Sequence, residues 1–86
     1  MIRRGSYVIS LKGHDTGRIY LVTEVNEAIA YISDGREHKI ARPKRKNIKH
    51  IFPILDEYNE DVSAMTDGVL RKLLKEKGNI YDSIIN

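Results

Sequence analysis

The chain has 86 residues, 41% hydrophobic and 31% charged, which fits one compact domain with little room for a second. A chain of this size buries only roughly two thirds of its unfolded surface, which weighs against a deep catalytic cavity. The absence of cysteine excludes disulfides and thiolate chemistry, and no apolar run approaches the ~18 residues of a membrane span. The start, MIRRGSYVIS, lacks a long apolar stretch behind its charges, so the expected location is the cytoplasm.

The net charge of +3 is unevenly placed. Residues 1–55 carry eleven Lys/Arg against five Asp/Glu, a net +6, whereas residues 56–86 carry four against seven, a net −3. A polyanion-binding surface therefore belongs to the first part, and the chain divides at about residue 55 into a basic unit and an acidic extension.

In chain order, Tyr7, Ile9 and Leu11, then Tyr20 and Val22, then Ile29 and Tyr31 recur with period two, which predicts short strands. Between the first two lies KGHDTG, an exposed loop in which Gly13 and Gly17 allow positive φ. Asp34-Gly35 predicts a two-residue hairpin turn, with Arg36 to Ile40 returning antiparallel. Pro43 then ends that strand, and Ile48 to Phe52 forms the last one before Pro53. Five short strands with tight turns predict a mainly β fold, a small closed or nearly closed barrel.

The second part changes period. In TDGVLRKLLKEKG the apolar residues Val69, Leu70, Leu73 and Leu74 fall at helical spacing, Thr66 or Asp67 caps the start, and Gly78 ends the helix. LDEYNEDVSAM before it reads as a connector. A helix of ~12 residues is marginal alone, so it must lie on the barrel or on a partner. The last eight residues, with Ile80, Tyr81, Ile84 and Ile85, are open to docking or fraying.

Residues 36–50, REHKIARPKRKNIKH, contain seven Lys/Arg against one glutamate, held between elements expected to be ordered. Phosphates could then be met in a fixed register, with Arg36, Arg42 and Arg45 offering planar forks and Lys39, Lys44, Lys46 and Lys49 mobile charges. The competing reading is a solvated face that keeps a small protein soluble. Lys12 and Arg18 flank the glycine loop, whose freed amides could hold a phosphate; glycines there are otherwise a matter of turn geometry. His14, His38 and His50 show no metal-ligand spacing, and no nucleophile elbow occurs, so no enzyme activity, cofactor or metal is expected. Tyr20 and Phe52 read as core, and His50 as sharing a face with Ile48 and Phe52. No aromatic platform for unstacked bases is visible, which favours folded RNA met through shape and phosphate.

From Gly5 the run GSYVISLKGHDTGRIYLVTEV resembles a KOW motif, the element shared by several ribosomal proteins and by the NusG and Spt-five elongation factors. The next run, YISDGREHKIARPKRKNIKHI, resembles the KOW-containing family of the large-subunit ribosomal protein fourteen-e and its bacterial RNA-binding homologues. The resemblance covers residues 5–52 and implies an SH3-like barrel that meets ribosomal RNA. Carried over by position, Lys12, Gly13, His14, Asp15 and Gly17 fall in the KOW loop. Arg36, Pro43, Lys44, Arg45, Lys46, Asn47, Lys49 and His50 fall in the two later signatures, with Gly17 and His50 structural. The acidic C-terminal third departs from the basic extensions of ribosomal proteins and leaves permanent and transient ribosome association both open. The leading expectation is an RNA-binding module of the translation apparatus. The alternative is a protein adaptor for ribosome or transcription-complex proteins, docking a partner through the helix around Leu70 to Leu74. DNA binding is disfavoured, because the single helix offers no base-reading face.

Overall fold

The structure, a computed structural model, describes residues 1–85, apart from the side chains of Leu55, Tyr81, Ser83, Ile84 and Ile85. Strands β1 (Ser6–Ser10), β2 (Ile19–Asn26), β3 (Ile29–Ser33), β4 (Lys44–Asn47) and β5 (Ile51–Glu57) precede one helix, α1 (Asp67–Ile85). The strands form one antiparallel sheet in the order β4-β3-β2-β1-β5, curled into a half-barrel. Register shifts between Val22 and Glu24 on β2 and between Ser6 and Val8 on β1 add twist, which helps the sheet to curl.

Both faces of the central strands are buried. Val8, Tyr20, Val22, Ala30, Ile32 and Ile51 fill the concave side. On the other side Tyr7 and Leu21 meet Val62, Met65 and Leu70. The contiguous Tyr20-Leu21-Val22 is therefore apolar throughout, where a sheet wet on one side would alternate. Leu70 is fully buried, a contribution of roughly 1.5–3 kcal/mol. Leu73 and Leu74 pack beside it, so the apolar seam of α1 covers its own sheet. Lys77 adds a cation over the Tyr7 ring at 5.3 Å and an ion pair to Asp56.

The chain departs from the sequence-based expectation at four places. First, no strand runs from Arg36 to Ile40. The Asp34 carboxylate accepts the amides of Arg36 and His38, both at 2.9 Å, and the His38 carbonyl accepts the amides of Asp34 and Gly35, so these groups turn the chain instead of forming a ladder. Pro43 consequently precedes a strand: β3 pairs with Lys44–Asn47, from Ile32 opposite Lys44 to Ile29 opposite Asn47. Second, Ile48–His50 form a single 3-10 turn, capped by the Asn47 side chain accepting the Lys49 amide. That turn breaks the expected alternation of Ile48, His50 and Phe52. Third, Phe52 is 59% exposed and not core. β5 runs on through Pro53, which is tolerated because β5 is an edge. Fourth, Gly78 lies inside α1, which continues to Ile85; the side chains of Tyr81, Ile84 and Ile85, and Asn86, lie outside the described residues.

The loop between β3 and β4 is fastened to the start of α1. Asp67 Oδ1 accepts the Ile40 amide at 2.8 Å, and Arg71 donates to the Gly35 carbonyl at 2.7 Å. Gly35 is required there: its φ is +75°, and a Cβ would stand 2.6 Å from the Asp67 carbonyl oxygen.

Candidate nucleic-acid interface

The loop after β1 is built around a buried carboxylate. Asp15 is 6% exposed and accepts from the Ser10 hydroxyl at 2.8 Å, Lys46 Nζ at 2.9 Å and Lys44 Nζ at 3.0 Å. Burial opposes its ionisation, but hydrogen bonds from Lys46, Ser10 and Lys44 outweigh that and hold the group far below the usual carboxylate range. Lys46 also donates to the Lys12 carbonyl at 2.7 Å, tying β4 to the loop. Beneath, burial first, then the Asp15 charge and hydrogen bond, push the Tyr20 phenol up to about 12.

Asp15 thus lies under the lysines and not on a surface that RNA could touch. Its role is to set Lys44 and Lys46, and its single negative charge offsets one of their two positive charges. The loop amides are also less free than the glycines suggest. Thr16 donates to the Gly13 carbonyl, Gly17 to that of Ser10 and Arg18 to that of Asp15. Lys12, Gly13 and His14 remain exposed at the loop crown.

The basic segment does not form one face. Along β4 the side chains alternate: Lys44 and Lys46 sit opposite Ile32 and Ala30 and turn to Asp15, while Arg45, opposite Tyr31, points to the other side. Asn47 is used by the 3-10 turn, and Lys39, Arg42 and Lys49 are exposed. His50 is half-buried, its carbonyl accepting the Leu11 amide at 2.8 Å.

A groove of about 570 Å³ brings two distant predicted residues together. Arg18, from the glycine loop, and Arg36, from the loop after β3, both line it over an apolar floor of Ile9, Ile19 and Leu74. Two helix cations that sequence reasoning passed over, Arg71 and Lys75, complete the rim. Their spacing of four on the side of α1 beside the Leu70–Leu74 seam was the available signal. Asp34 and Asp82 also line the groove, but the Asp34 carboxylate is occupied by backbone amides. Among the described residues, Arg18, Arg36 and Lys75 make no ion pair, in contrast with Arg3, which pairs with Glu57, and Lys77, which pairs with Asp56.

Among the described residues no cluster of His, Asp or Glu could hold a metal ion, and no helix is long and apolar enough to cross a membrane. The chain matches no protein-family model and no curated protein. The arrangement itself defines a small curled β-sheet with a helix laid across it, in which Arg18, Arg36, Arg71 and Lys75 line one groove where loop, turn and helix meet.

Proposed function

We propose that the chain is a non-enzymatic RNA-binding module, an SH3-like barrel of the KOW type, that meets the phosphates of folded, ribosomal RNA through the loop at residues 12–18 and the segment at 36–49. The observation that carries this reading is the convergence of Arg18 and Arg36 on one open groove, each free of ion pairs among the described residues. Unneutralised arginines on fixed elements bind phosphate with register, and counterion release drives the association. Lys44 and Lys46 support this reading by fastening the loop that carries Arg18 to β4 through Asp15 and the Lys12 carbonyl.

The test uses that division of labour. Arg18→Glu with Arg36→Glu should weaken binding to a structured ribosomal RNA fragment by at least tenfold and flatten the log K against log salt slope by about two units. Reversing Lys44 and Lys46 would be a poor test, because it attacks the Asp15 cluster along with the charge. An unchanged salt slope in the double variant would sink the proposal.

A further inference from the structure

The groove opens onto an apolar row that the charge map alone does not reveal. Ile9 lies on its floor and is the direct cross-strand partner of Ile19 on one side and of Phe52 on the other. Directly paired residues share a sheet face, so Ile19, Ile9 and Phe52 stand side by side across β2, β1 and β5. Leu11 comes two positions after Ile9, just past the end of β1, and it is 52% exposed beside Phe52 at 59%. The helix packs on this face at Tyr7 and Leu21 and reaches Ile19 beside Gly78, while among the described residues Leu11 and Phe52, at the far end of the row, stay exposed. An exposed phenyl ring one strand over from Ile9, which lines the cationic groove, matches the two needs of an unstacked nucleotide: a flat apolar surface for the base and positive charge for its backbone.

We infer that this site takes an unpaired nucleotide of RNA, its base lying on Phe52 and its flanking phosphates met in the groove by Arg18, Arg36, Arg71 and Lys75. This rests on the RNA-binding reading above and narrows its ligand from folded RNA in general to a folded RNA with a splayed-out base beside a helical stem. The acidic extension then carries part of the binding surface, since α1 supplies one wall of the groove from its own cations. Phe52, solvent-exposed on an edge strand, contributes little to the fold, so its replacement separates recognition from stability.

The experiment compares two RNA hairpins with the same stem, one fully paired and one with a short bulge, titrated against the full chain, Phe52→Ala and Lys75→Glu. The full chain should prefer the bulged hairpin by about tenfold, the gain expected from one base–aromatic contact. Phe52→Ala should erase that preference and leave affinity for the paired hairpin unchanged, and Lys75→Glu should weaken both a few-fold and reduce the salt slope by about one unit. Equal binding of the two hairpins by the full chain, or a preference that survives Phe52→Ala, overturns the unpaired-nucleotide inference while leaving phosphate binding standing. Failure of both hairpins to bind at any salt concentration overturns the RNA-binding reading and this inference together.

Discussion

Asp15→Asn isolates the contribution of the carboxylate beneath the basic loop. The substitution keeps the shape but removes the charge, leaving Lys46, whose side chain is only 10% exposed, facing a neutral amide. Removing one partner of a fully buried ion pair costs ~3–5 kcal/mol. Here Lys44 is 34% exposed and can swing into solvent, which reduces the expected loss to roughly 2–3 kcal/mol. For a small domain that is a large fraction of ~5–10 kcal/mol. Urea unfolding at neutral pH should therefore show a lower midpoint with an unchanged slope. The Asp15 carboxyl is depressed in the folded state, so its stabilisation is present above the ordinary carboxylate pKa and is lost as pH falls toward its folded value. The gap between the parent and Asp15→Asn should accordingly close as the solution is acidified below about pH 4. The same variant releases two lysines and should steepen the salt dependence of RNA binding. A variant as stable as the parent at neutral pH would refute the buried cluster and return Lys44 and Lys46 to the pool of free cations.

Three further outcomes are expected. Gly35→Ala forces a side chain to φ +75° and toward the Asp67 carbonyl, so it should destabilise by more than ~1 kcal/mol and raise amide exchange at Ile40, whose bond to Asp67 depends on that approach. Gly78→Ala should instead stabilise by roughly 0.5–1 kcal/mol in thermal or urea unfolding, because a Cβ there meets only Ile19 Cδ1 at an ordinary 3.9 Å and the helix interior favours alanine. The Tyr7 and Tyr20 phenols, both pushed up to about 12 chiefly by burial, contribute stability that is full below their ordinary value of 10.0 and fades as pH rises toward 12. Unfolding monitored by tyrosinate absorbance should be cooperative in that window, and a gradual titration of these two residues without unfolding would contradict their burial.

The first three strands, the helix start at Asp67 and the core positions of Tyr20 and Leu70 were legible in the sequence, because each depends on local periodicity or a local cap. The features that were not legible depend on contacts between distant segments. Asp34-Gly35 has the composition of a hairpin turn, yet the loop it opens is held by Asp67 and Arg71 from the helix, and His38 is drawn back to within 6.3 Å of the Tyr20 ring. Phe52 reads as core until one 3-10 turn shifts the phase of the strand after it. Asp15, in a glycine-bearing loop, has the composition of an exposed residue; only the register of β4 brings two lysines onto it. Arg71 and Lys75 were hidden for a different reason. They sit in a segment whose net charge is negative, and a sum over residues cannot show which face of a helix its cations occupy.

The sheet ends in two unpaired borders, and each resists adding a strand from another molecule in its own way. β4 borders one side with the exposed Arg45 between Lys44 and Lys46, which Asp15 holds, so an identical border brought alongside would meet like charge at its centre. β5 borders the other side with Pro53, which lacks the amide that an incoming strand would need at that point. The residues that load this protein with positive charge thus also discourage its sheet from growing into an aggregate, which lets a domain this small leave a curled sheet open at both sides.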